Sequence, residues 1–380
     1  MMKRLFIFFI LLSLYCFLQP NLIDIYKKGE VTIVLDPAFG KATDWESLNF
    51  STRKYFAFAP DGRIFASDSY EHKIYVLDKK GNLIKSFGRS GQGPGDFTRP
   101  QDLSILDGKY LVVGEYALNR RISILDLNGN FLKLFVTKYS VFDLKALKNN
   151  KIAILTQKSV PSGKGTYITN YRVIIKDIMA EKDINVVPFV QEVKKTNITL
   201  GPFRGKVFIS KINDDKLLVG FSDIPEISIY SLDGQKLNSF EVNLKRKRVT
   251  GDMKEAYFRM LEGMAEKRTQ LKQWIQKMRK EDVFPDHIPY YNRIVVDSED
   301  NIFVYKNIWA EKVKIRKDPF ELDEVKFQIY SKEGQHICDA RINFGNLKPF
   351  YPTYFFENYV YAQLKKKGDK NYNFMKLKLR

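Results

Sequence analysis

The chain has 380 residues, 44% of them hydrophobic and 28% charged, which is enough apolar material for a core and too much for a disordered polymer. Its 63 Lys+Arg against 44 Asp+Glu give a formal charge of +19, and the 14% aromatic content, with 29 Phe and 21 Tyr, favours strands over helices. Two Cys and three His exclude a Cys-rich zinc module and a disulfide framework.

Lys3 and Arg4 precede an apolar run from Leu5 to Leu18 that only Ser13 interrupts, the pattern of a secretory signal. As a helix this run spans about 21 Å, short of the ~30 Å hydrocarbon core, which favours a signal peptide over a stable anchor. No small-x-small cleavage site follows. Ser13-Leu14-Tyr15-Cys16 ends in Cys as a lipidation site does, but Tyr15 stands where such sites carry a small residue. Residues 1–20 are therefore expected to be a signal peptide or N-terminal anchor, and residues 30–380 the folded domain, which keeps the basic character. Cys16 falls in the leader and leaves Cys338 without an intramolecular partner.

Next comes self-similarity. Tyr55 to Gly88 and Asp102 to Phe135 both read as strand, Asp-Gly turn, strand, polar loop, strand, Gly-Asn turn, strand. Asp61-Gly62 and Asp107-Gly108 lie 46 residues apart, and Gly81-Asn82 and Gly129-Asn130 lie 48 apart. Asp-Gly between alternating apolar runs is a strong hairpin signal, because a tight primed turn needs positive φ at its centre. Weaker copies run from Asp143 to Val187, Val207 to Val242 and Arg293 to Phe344. The tail from Tyr354 supplies three strands, and Val31–Leu35 supplies one at the other end.

Five four-stranded units and a split sixth predict an all-β, six-bladed β-propeller, closed by the N-terminal strand plus three C-terminal strands. Radial closure leaves only short, protected sheet edges. A β-sandwich with similar hairpins is the alternative; it requires neither the recurring spacing nor the split between the chain ends.

The linker Gly88 to Pro100, GRSGQGPGDFTRP, followed by strand, Asp-Gly and strand, resembles the NHL-repeat signature. Its glycines permit tight bends, Phe97 is placed to fill a blade junction, and Pro100 fixes entry into the next inner strand. Phe284 to Val296, FPDHIPYYNRIVV, looks like the later part of bacterial exported six-bladed propellers. The resemblance implies a ligand- or protein-binding scaffold. Some NHL-type propellers are lyases with zinc-binding histidines, but His72, His287 and His336 lie in a loop, a linker and near an outer strand, so no metal or other cofactor is expected.

From Asp252 to Lys280 the periodicity becomes helical, with Met253, Tyr257, Met260, Met264, Leu271, Trp274 and Met278 on a stripe and Asp252 as candidate N-cap. The insert (about 250–282) is expected either as one helix or as two broken near Gly263 or Thr269. Residues 245–281 carry twelve Lys/Arg and five Asp/Glu. The stripe can pack on the propeller or bind a partner. Lys245, Arg246, Lys247 and Arg248, with Trp274, can also meet an anionic membrane or wall polymer.

Counting back from each inner hairpin places Arg53, Arg99, Lys206 and Arg293 at equivalent positions over the axial channel, with Gln101 nearby. Arginine's planar fork suits carboxylate or phosphate, so these residues are the candidate binding set. GQGPG lacks the Lys-Ser/Thr and following helix of a phosphate loop, and no nucleophile elbow is present. The expected function is a noncatalytic exported scaffold binding a protein or an anionic envelope ligand. The alternative is a metal-assisted propeller hydrolase or lyase using Glu115, Asp143 and Asp223. Nucleic acid is not an expected partner, membrane attachment would run through the N-terminus, and a monomer is expected.

Overall fold

The computed structural model describes residues 21–45, 48, 54–115, 119–138, 140–161, 167–193, 203–265, 269–281, 284–307, 324–366 and 373–379. Helix α1 (Leu22–Tyr26) leads into β1 (Glu30–Leu35). Blade one comprises β2 (Phe56–Phe58), β3 (Ile64–Asp68), β4 (Lys73–Leu77) and β5 (Leu83–Phe87). Blade two comprises β6 (Pro100–Leu106), β7 (Tyr110–Glu115), β8 (Arg121–Asp126) and β9 (Phe131–Val136). Blade three follows with β10 (Ser140–Ala146), β11 (Lys151–Pro161), β12 (Tyr167–Asp177) and β13 (Asp183–Val193). Blade four is β14 (Val207–Ile212), β15 (Lys216–Phe221), β16 (Glu226–Ser231) and β17 (Lys236–Glu241). Helices α2 (Gly251–Ala265) and α3 (Thr269–Glu281) precede blade five, which is β18 (Tyr291–Val296), β19 (Ile302–Lys306), β20 (Glu324–Tyr330) and β21 (His336–Asn343). The chain ends in β22 (Leu347–Phe356), β23 (Tyr359–Lys366) and β24 (Asn373–Leu379).

Strand β1 completes blade six, as the sequence predicts. Ile33, Val34 and Leu35 pair antiparallel with Leu379, Lys378 and Leu377. It also does something not anticipated: Glu30, Val31 and Thr32 pair in parallel with Arg341, Ile342 and Asn343. One strand therefore joins blades five and six into a continuous eight-stranded sheet. The sixth blade also begins earlier than expected, at Leu347 rather than Tyr354.

Burial explains why the blades assemble. A central strand such as β3 is buried along its whole length, because both of its faces meet neighbouring blades. Among the described residues one apolar core falls at each of the six blade junctions and a seventh lies under the insert. Phe65, Val76, Phe97, Leu111 and Leu125 fill the junction of blades one and two, and Ile122, Ile124, Leu144 and Ile154 that of two and three. Phe56 stacks on Phe374 with ring centroids 3.9 Å apart where blade one meets blade six. Each fully buried apolar side chain contributes about 1.5–3 kcal/mol, so the ring is held by many medium-sized contacts and no single one. The hairpin signals hold: Asp107 and Gly108 both take positive φ (50° and 66°). At Asp61-Gly62 only the glycine does, at 87°.

The insert is two helices. The cap is Thr250 rather than Asp252, with Met253 N donating to Thr250 Oγ1 at 3.3 Å. Met253, Tyr257, Phe258, Leu261, Ile275 and Met278 are buried with Phe203 and Ile288, so the predicted stripe largely packs inward. Among the described residues no helix is long and apolar enough to cross a membrane. The leader lies outside the described residues.

Candidate ligand-binding mouth

In a four-stranded blade the connection into the inner strand and the turn between the second and third strands share one end of the ring. That end carries the elaborations. The insert lies on the connection from blade four to blade five, and β11, β12 and β13 each run 11 residues, against three to seven for the strands of blades one, two and four. The opposite end holds the tight inner hairpins and α1, where Tyr26 Oη donates to Asp297 Oδ2 at 3.0 Å.

The inner strands at the elaborated end share a local irregularity. The pairing of first and second strands shifts between Pro100 and Asp102, Val141 and Asp143, Tyr291 and Arg293, and Phe350 and Thr353. A bulge of this kind re-aims the extra residue and bends the strand, and such bulges are common beside binding sites. The extra residues are Gln101, Phe142, Asn292 and the pair Tyr351-Pro352. Phe142 is 41% exposed, unusual for a phenylalanine on an inner strand.

These bulges correct the equivalence drawn by counting. Arg99 and Lys206 both lie just outside their first paired residues, Pro100 and Val207, and both are exposed. Arg293 lies beyond its bulge, opposite Tyr305 and half-buried. It belongs to a deeper level with Asp102 opposite Gly114, Asp143 opposite Leu155 and Phe208 opposite Gly220. The residue at the outer level in blade five is Tyr290. Gln101 donates Nε2 to Tyr55 Oη at 2.7 Å, bridging blades two and one. Arg53 lies outside the described residues.

Under the rim the structure shows anchoring groups: Glu115, named above only as a candidate acid, and the Lys54–Asp68 pair, which the sequence analysis does not single out. Glu115 ends β7, and its Oε2 accepts the backbone N–H groups of Thr98 (2.8 Å) and Arg99 (3.3 Å). Its other oxygen lies 3.2 Å from Arg121 Nε, with both side chains buried. Glu115 therefore fixes the backbone that presents Arg99, which is a positioning role. Asp68 is its counterpart at the end of β3: it pairs with Lys54 Nζ at 2.5 Å, and both side chains are fully buried. Burial pulls the Lys54 ammonium below its ordinary pKa against the opposing pull of Asp68. Lys54 N also donates to Gln363 Oε1 at 2.9 Å, tying blade one to blade six. The signal was present in the sequence, since the second strands of the first two repeats, IFASD and LVVGE, both end in an acid.

The remaining candidates are dispersed. Asp143 pairs with Lys145, and Asp223 lies 3.4 Å from Arg246. His72 Nδ1 sits 2.5 Å from Thr98 O, the His287 backbone pairs with that of Arg248 in an isolated antiparallel β-bridge, and His336 lies 3.0 Å from Asp339. Among the described residues no three His, Cys, Asp or Glu side chains group as a metal site. Lys245, Lys247 and Arg248 are exposed. Arg246 has a structural task, donating Nε to Ile288 O at 3.3 Å with its guanidinium 5.4 Å from the Tyr290 ring centroid. Trp274 is half-buried against the insert core.

Residues 58–203 match the DUF5128 family, described as a 6-bladed beta-propeller. Among solved structures, a member of the duf4221 family from Bacteroides vulgatus superposes with a TM-score of 0.53 at 10% identity, over 93% of this chain and 99% of that one. A Bacteroides fragilis protein described as a candidate exported protein gives a TM-score of 0.50 at 13% identity, over 86% and 94%. No curated protein matches the chain in sequence. At these identities the structural likeness speaks for the fold alone. The chain is a six-bladed β-propeller resembling those of bacteria, with the family's sequence match in its first three blades and the fold continuing through the rest.

Proposed function

We propose that this protein is an exported, noncatalytic binding propeller that holds an anionic group, borne by a protein or an envelope polymer, over its cationic mouth. The supporting observation is the convergence at one end of the ring: exposed Arg99 and Lys206 at the outer level and Arg293 one level deeper, beside the insert and the tall third blade. Glu115 holds the Arg99 backbone in place, so less order has to be gained on binding. Guanidinium groups bind carboxylate and phosphate through paired hydrogen bonds. Export rests on the leader's charged and apolar regions and agrees with the description of the B. fragilis relative. The exposed Lys245, Lys247 and Arg248 extend the basic surface along the same connection. The test is titration of the protein with a polyanion at two salt concentrations, alongside Arg99→Ala and Arg293→Ala. The reading predicts several-fold weaker binding in each variant and a steep loss of affinity with salt. Unchanged affinity in both variants would reject it.

A further inference from the structure

The third blade carries a feature that the rim cations do not explain. Beyond the level where blades one, two and four end, β11 and β12 stay paired from Thr156 opposite Arg172, through Lys158 opposite Asn170, to Pro161 opposite Tyr167. Side chains alternate across a strand, so Thr156, Lys158 and Val160 share a face with Arg172 and Asn170. Those five residues line a cavity of about 190 Å³. The opposite face is used for packing: Tyr171 is buried in the junction with blade four, and Thr169 Oγ1 accepts a hydrogen bond from Arg204 Nη2 at 3.2 Å. At the foot of this wall Val141 pairs with Thr156, and the next residue is the bulged, 41% exposed Phe142.

We propose, building on the anionic-ligand reading above, that the ligand is an acidic glycan and that blade three holds one of its uronic acid units. Lys158 and Arg172 take the carboxylate, Asn170 offers an amide to ring hydroxyls, and the Phe142 ring faces the sugar's C–H surface. The electron-rich face of an aromatic ring attracts the weakly positive hydrogens of a pyranose, which presents several of them on one rigid face, whereas the methylenes of poly-L-glutamate are flexible and form no such face. The cavity is smaller than the ~300 Å³ at which sites begin to enclose a drug-sized molecule, so it suits one unit of a polymer whose neighbours continue across the open mouth toward Arg99 and Arg293.

The full chain is titrated with oligogalacturonate, a neutral dextrin of equal length and poly-L-glutamate, using wild type, Phe142→Ala, Phe142→Tyr, Lys158→Gln and Arg172→Gln, each checked for folding by thermal denaturation. Oligogalacturonate is expected to bind about tenfold tighter than either alternative, a difference of about 1.4 kcal/mol. Phe142→Ala should lose about that factor for the uronate alone and Phe142→Tyr should keep it, while the two cation variants weaken both polyanions. Poly-L-glutamate binding as tightly as the uronate, or a uronate affinity indifferent to Phe142→Ala, overturns the glycan proposal and leaves the anionic mouth standing. Failure of every polyanion to bind overturns both.

Discussion

Asp78, Asp126 and Asp297 each close a turn in the same way. One carboxylate oxygen accepts two backbone N–H groups, and the other accepts the side-chain amide of the asparagine four residues on, Asn82, Asn130 or Asn301. Their environments drive their titrations apart. Partial burial pushes the Asp78 and Asp126 carboxyls up, but hydrogen bonds from Asn82 and Asn130 outweigh it and hold both below the ordinary value of 3.8. At Asp297 deep burial beneath Tyr26 wins, and the pKa rises above 3.8. The first two groups contribute stability that is present above 3.8 and lost as pH falls through their lowered folded values. The contribution of Asp297 is full below 3.8 and lost as pH rises through its raised value. Urea unfolding across acidic pH should therefore show Asp297→Asn gaining on wild type as pH rises, and Asp78→Asn falling behind it. A difference between wild type and Asp297→Asn that does not change with pH would contradict this assignment. The recurring Asp-x-x-Gly-Asn spacing at residues 78–82 and 126–130 is legible in the sequence. The opposite shift at Asp297 is not, because it depends on a helix that packs on blade five from the far end of the chain.

At the scale of elements, the insert shows what periodicity conveys and where it stops. Met253, Tyr257 and Met278 are buried on the inward face as the stripe predicts, and Trp274 packs half-buried against the same core; Ile275, which the stripe omits, is the more deeply buried residue, 2% exposed. Leu271, Trp274 and Met278 of α3 keep to the stripe, and Ile275 adds to it because residues three and four apart share one helix face. Ile275→Ala should cost about 2–5 kcal/mol in unfolding free energy, and Trp274→Ala less, because the indole is only partly buried. Equal or reversed costs, read from denaturant titrations, would show that α3 is rotated. Blade three is taller than its sequence suggests, for a different reason. The extensions Gln157–Pro161 and Tyr167–Asn170 are mostly polar in sequence, so they look like loop although they form a paired wall.

Across the whole molecule, the count of blades was readable because each blade repeats a hairpin whose turn chemistry is local. The register of the inner strands was not. A bulge inserts a residue that no composition or turn signal marks, and it moved Arg293 from the outer level to the inner one. Closure also carries more than expected, since β1 bonds to both β21 and β24. A chain lacking residues 1–35 should lose the cooperativity of its thermal transition and expose the junction of blades five and six, where Val31 is fully buried; an unchanged transition midpoint would contradict closure by β1. The two ends of the ring then have separate tasks, with α1 and the tight hairpins on one and the cationic mouth on the other. Hydrogen exchange with and without a saturating acidic oligosaccharide tests that division most directly. The account predicts slowed exchange at residues 98–102, 141–143, 156–160 and 291–293, with the hairpins at 61–63 and 107–109 unaffected. Protection confined to those hairpins, or none at the mouth, would contradict it.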